Sequence, residues 1–153
     1  MRKRSRYRPK GVITDTISHV LGGFRRVQDT DSAVTLKIKN HQALASMVQG
    51  GGNRDDIDIL IAAMNVAEAL AITAELGDEY RAEITAAQDA IYTMSRRGLA
   101  KNRFLFTGPE MQAMNLGMEV HDAQLDACTV GQLEKALAFV GREIRAKRAR
   151  EIA

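Results

Sequence analysis

Tryptophan is missing from this chain, and four Phe and three Tyr are all the aromatic residues in its 153 positions. At 45% hydrophobic content, its core has to be filled mainly by Ala, Leu, Ile, Val and Met. A single cysteine, Cys128, excludes an internal disulfide framework and fits a reducing compartment. No stretch reaches the roughly 18 uncharged apolar residues of a membrane span; the longest apolar run, 59–67, ends at Glu68. The basic start is that of a signal peptide, but GVITDTISHV sets Asp15 and His19 where a continuous apolar region is needed. The chain therefore reads as soluble and cytoplasmic. A phosphate-cradling glycine loop is also missing, because Gly50, Gly51 and Gly52 lead into Asn53 and three acids, Asp55, Asp56 and Asp58, which repel phosphate.

What the chain does have is segregated charge. Residues 1–10 read MRKRSRYRPK, with Arg2, Lys3, Arg4, Arg6, Arg8 and Lys10 and no acid. Residues 142–153 add Arg142, Arg145, Lys147, Arg148 and Arg150 against Glu143 and Glu151. The whole chain carries 22 bases and 19 acids, so residues 11–141 hold 11 bases against 17 acids. A net charge of +3 thus conceals an anionic body with two cationic ends. Such ends seek phosphate, an anionic partner or the acidic face of a neighbouring copy, and they also serve simply as solubilising tails.

Residues 1–11 form a basic arm with too little apolar content to fold alone, and residues 12–153 form one helical domain. Val12, Ile13, Ile17, Val20 and Leu21 suggest a short helix over 12–22, stopped by Gly22 and Gly23. Over 32–49, Leu36, Ala43, Leu44, Met47 and Val48 fall near helical spacing, with Asp31 or Ser32 as the cap. Val34, Leu36 and Ile38 also alternate as a strand does, but a lone strand has no partner here, so helix is preferred. Asn53 caps the next helix, which is apolar nearly all round to Leu76 and so belongs at the centre. Gly77 suits its C-terminal cap, and Asp78 starts a helix whose stripe is Tyr80, Ile84, Ala87, Ile91 and Met94, running to Gly98. Thr107, Gly108, Pro109 and Glu110 open another, with Met111, Met114, Met118, Leu125 and Cys128 on one side and Gln112, Asn115, Glu119, Asp122 and Asp126 on another. Thr129 and Gln132 make a capping box for the last helix, striped by Leu133, Leu137, Val140 and Ile144. With so short a break before it, the last two helices are expected to form a tight antiparallel hairpin. The fold expected is all-α, a single domain of about five or six helices around a central apolar one.

Candidate chemistry is sparse. The arm, with Tyr7 among its bases, can neutralise several phosphates and stack one base. Arg96, Arg97, Lys101 and Arg103 sit at a helix C-terminus, where the helix dipole favours cations in any case. Arg145, Lys147, Arg148 and Arg150 either repeat that pattern or join the arm in one basic surface. His121 falls on the apolar stripe and reads as a hydrogen-bonded core or interface residue; Glu119 and Asp122 point elsewhere, and no metal centre is expected. His41 and His19 stand alone. Asn65 and Glu68, one turn apart on the most buried helix, need a polar partner from another helix, for which Asn115 or His121 could serve. Cys128 reads as a small core residue. A helix-turn-helix around Gly77 is disfavoured by the length of both helices.

RPKGV from Arg8, LKIKNH from Leu36 and MEVHDAQLDA from Met118 resemble segments of small proteins encoded by bacteriophages and prophages. The resemblance covers most of the chain and carries no activity and no functional residue. It implies a bacterial cytoplasm and an accessory role. The function expected is therefore non-enzymatic, without cofactor or metal: a phage accessory protein contacting nucleic acid electrostatically through basic arms. The alternative is a protein-interaction module, either a homo-oligomer or an inhibitor of a host factor. Its arm would dock on an acidic surface such as the Glu119, Asp122 and Asp126 stripe.

Overall fold

The computed structural model describes residues 26–27 and 30–148. The basic arm, the short helix expected over 12–22, His19 and Arg150 lie outside them. Five α-helices follow in order among the described residues: α1 (Asp31–Val48), α2 (Arg54–Ala74), α3 (Arg81–Lys101), α4 (Gly108–Ala127) and α5 (Val130–Arg145). No strand is present among these residues, so the alternation at Val34, Leu36 and Ile38 does not make one. Val34 and Ile38 instead face solvent while Leu36 packs inward.

Helix starts follow local chemistry. Asn53 and Asp56 exchange bonds of 3.0 and 3.1 Å in a capping box at α2. Thr107 with Glu110 does the same at α4, and Thr129 with Gln132 at α5. At α1 the cap is Thr30, not Asp31 or Ser32; its hydroxyl oxygen accepts from the Ala33 N–H. Three consecutive residues have cap-forming side chains here, and Thr30 is the one with extended backbone.

Helix ends depart further from expectation. The left-handed residue that closes α2 is Glu75 (φ 54°), and Leu76 N–H reaches back to the Leu70 carbonyl. Gly77 (φ 72°) then leads into a 3₁₀ turn, Asp78–Tyr80, before α3 begins. Gln124 accounts for this shift: its Nε2 donates to the carbonyls of Ala67 and Leu76, both at 2.8 Å, and pins the chain one step past the helix. α3 continues through Gly98 to Lys101, because Phe104 folds back into the space that a side chain at 98 would fill.

α2 is the hub, touching α1, α3, α4 and α5. By length and composition it is apolar enough to cross a membrane, although it holds no run of roughly 18 uncharged apolar residues; here its neighbours cover half of that stretch. One core lies between α2 and α1, α3 and α4, with Met47, Leu60, Met64, Ile84, Ile91, Met94, Met114 and Met118 buried. A second gathers Val27, Val66, Leu70, Leu125, Cys128 and Ala136 where α5 meets α2.

The expected hairpin does not form. α4 packs along α3, whereas α5 turns away at Cys128 and Thr129, both extended, and lies on α2. Its buried line runs through Ala136 with Leu133, Phe139 and Val140, so Leu137 and Ile144 of the expected stripe are about half exposed (52% and 55%).

Close packing of α3 on α4 depends on Gly117, where a Cβ would come within 2.6 Å of Ala87 Cβ and 2.9 Å of Met64 Sδ. Gly117→Ala is expected to cost ~1–3 kcal/mol net of the roughly 1 kcal/mol gained in helix propensity. The readout is a lower urea midpoint at unchanged slope. Gly108→Ala, which meets nothing within 4 Å, serves as the near-neutral control.

Candidate functional site

One line of α2 escapes burial. Ile61, Asn65, Glu68 and Ile72 follow each other at three- and four-residue steps, and all are only partly covered. Asn65 and Glu68 do find a polar partner, but it is neither Asn115, which is exposed, nor His121, which is buried elsewhere. It is Gln88 of α3, whose Nε2 donates to Glu68 Oε2 at 3.0 Å and to Asn65 Oδ1 at 3.4 Å. Asn65 Nδ2, Gln88 Oε1 and the remaining lone pairs of Glu68 keep their hydrogen-bonding capacity.

These residues floor a groove of about 400 Å³ between α3 and α5. That volume falls in the range of about 300–1,000 Å³ typical of ligand sites. Tyr92 stands on the α3 wall and Phe139, Val140 and Ile144 on the α5 wall. At its end Arg148 donates to both oxygens of Glu143 at 2.8 Å and holds the Glu143 carboxyl below its ordinary range. Arg96, one turn beyond Tyr92, lays its guanidinium over the Tyr92 ring, 5.9 Å from the centroid.

The groove's lining carries Glu68 and Glu143 against one cation, Arg148, whose charge Glu143 already pairs. Of the other sequence-predicted cations, Arg96 is linked to the groove only through the Tyr92 ring, and Arg145 and Lys147 are exposed next to Arg148 in the chain. Lys101 and Arg103 lie farther along the α3 end, exposed and without an ion pair among the described residues. Arg97 leaves the cluster for a structural task. It donates to both Glu110 oxygens at 2.7 and 2.9 Å and to the Leu105 carbonyl at 2.8 Å, clamping the 102–107 connection. The hydrogen bond from Arg97 holds the Glu110 carboxyl below its usual value, against the opposing push of burial.

On the far side of the molecule, α1 is tied to α4. Lys37 pairs with Asp126, and His41 Nε2 lies 2.7 Å from Asp122 Oδ2, so His41 does not stand alone. Two acids of the α4 stripe are thus engaged within the chain, whereas Glu119 makes no ion pair among the described residues. Cys128 is fully buried, and desolvation raises its thiol pKa, as suits a core residue. Among the described residues no group of His, Cys, Asp and Glu is arranged to hold a metal ion.

His121 is a core histidine, 1% exposed, with Nδ1 3.5 Å from the Oε1 of Gln124. Desolvation lowers its pKa to about 4, with only partial compensation from Gln124 and Asp122. No family model, curated protein or solved structure matches the chain.

A titration follows from His121. The unfolded imidazole takes up its proton near the ordinary value of 6.5 and the folded one only at about 4. Folding stability is full above pH 6.5, falls as pH drops through that interval and levels off below it, a loss of ~3 kcal/mol at most. Urea midpoints at pH 7.0, 5.5 and 4.5 should show this slope, and His121→Gln should flatten it between pH 6.5 and 5, above the carboxylate range.

Proposed function

We propose that this chain is a non-enzymatic accessory protein that contacts nucleic acid electrostatically, through its basic ends. The observation that carries the reading is the segregation of charge, with six bases and no acid in residues 1–10 and five bases against two acids in residues 142–153, while residues 11–141 are acidic. Arg96, Lys101 and Arg103, exposed around the end of α3, add further cations. Arg2, Lys3, Arg4, Arg6, Tyr7, Arg8 and Lys10, with Arg150, supply further charge from outside the described residues. An anionic body with cations concentrated at its ends orients a polyanion towards those ends. The resemblance to small phage proteins supports a bacterial cytoplasm as the setting.

A second reading, a protein-interaction module, draws on a different surface. Val34, Ile38 and Val48 are more than half exposed along the outer side of α1 (55%, 51% and 58%), and such apolar stripes mark contact surfaces. Docking of the arm on the Asp122 and Asp126 stripe of another copy is less favoured, because both carboxylates already have partners in α1.

Binding to labelled single-stranded DNA is expected to be salt-dependent, log K falling with log salt at about −0.7 per phosphate contacted. Removing residues 1–10 should flatten that slope, and Arg145→Glu with Lys147→Glu should flatten it further. Absence of binding at about 50 mM salt, where non-specific attraction is strong, defeats the reading. Light-scattering mass that halves in Ile38→Lys would favour the second.

A further inference from the structure

The groove differs from a plain electrostatic surface in what lies at its floor. Phosphate contacts need only cations, and they leave a half-buried carboxylate flanked by two amides unexplained. Glu68 offers adjacent acceptors, and its bond from Gln88 fixes the orientation of the carboxylate. Asn65 spends its Oδ1 on Gln88, which leaves its Nδ2 as a donor. The floor therefore presents a donor beside a pair of acceptors. The Watson–Crick edge of guanine presents the complement, one acceptor (O6) beside two donors (N1–H and N2–H). Adenine offers one donor and one acceptor there, cytosine one donor and two acceptors, and thymine or uracil one donor between two acceptors. Only guanine satisfies a carboxylate with two adjacent N–H groups.

The walls suit the rest of a nucleotide. Tyr92 supplies a ring for stacking, already backed by Arg96 on one side, and Phe139 adds an apolar ring on the opposite wall. Bases are read in this way when they are splayed out of a single strand, by stacking together with hydrogen bonds to the Watson–Crick edge.

We infer that the α3–α5 groove receives one unpaired guanine of a single strand. Glu68 and Asn65 read its edge and Tyr92 stacks on it, while the cations of the basic ends hold the rest of the strand. This rests on the nucleic-acid reading above and gives it base selectivity.

The test is fluorescence anisotropy of the full chain with ten-nucleotide dT strands carrying one central dG, dA, dC or dT, at about 100 mM salt. The dG strand should bind about tenfold tighter than the other three, the discrimination expected of one good bidentate contact. Glu68→Gln should erase that preference, so that the dG strand binds no tighter than the other three. Tyr92→Leu should weaken all four strands about tenfold. On unaltered protein, the side-chain amide NMR signals of Asn65 and Gln88 should shift with the dG strand and not with all-dT, which makes the result independent of how the variants fold. Equal, salt-dependent binding of all four strands overturns the guanine site and leaves the electrostatic reading standing. A dG preference that survives Glu68→Gln, with amide signals unmoved, also overturns it. No binding of any strand at about 50 mM salt removes both readings together.

Discussion

The architecture turns on the circumference of α2. Its nine buried residues, Ile57, Leu60, Ala63, Met64, Val66, Ala67, Ala69, Leu70 and Ala71, spread over about two thirds of its circumference at 3.6 residues per turn, more than a single neighbour can cover. Each large side chain withdrawn from water contributes roughly 1.5–3 kcal/mol, so the rest of the chain is recruited around this helix. The two cores lie on different sides of it: a methionine-rich one towards α1, α3 and α4, and a smaller one under α5. Methionine suits the first, since its flexible thioether fills irregular gaps between four helices in a chain without tryptophan.

The same demand explains where the covering stops. Asn65 and Glu68 interrupt the apolar surface of α2 along one line, and a neighbour packed directly over them would have to desolvate a carboxylate. α3 contributes Gln88 to satisfy them from the side, and α5 runs past without closing the gap. Groove and polar floor thus have one origin in the sequence. Arg148, just past the end of the α5 wall, pairs with Glu143 there, which leaves Glu68 as the carboxylate of the floor.

Elements governed by near neighbours were legible in the sequence. Asn53, Thr107 and Thr129 mark their helices because a cap is a bond between a side chain and a backbone three residues away. The centrality of α2 was legible from its composition, and the burial of His121 and Cys128 from their place on the stripe. What depended on partners distant in sequence was not. Gln88 lies on a different helix from Asn65 and Glu68, and nothing in its surroundings marks it. The closure of α2 at Glu75 is set by Gln124, some fifty residues on. The packing of α5 on α2 reflects a buried line offset from the stripe that spacing suggested, a difference of less than one turn in rotation. Arg97 looked like one of four equivalent cations, yet the fold consumes it in a clamp with Glu110.

The close approach at Gly117 has a mechanical consequence. It leaves no room for a side chain between α3 and α4, and Met64 of α2 sits against the same point, so three helices meet at one glycine. α5 does not share that contact; it lies on α2 and is entered through two extended residues, Cys128 and Thr129. The wall carrying Tyr92 therefore grows out of the contact at Gly117, and the wall carrying Phe139 and Ile144 out of the second core, so a substitution at either place perturbs one side of the groove first.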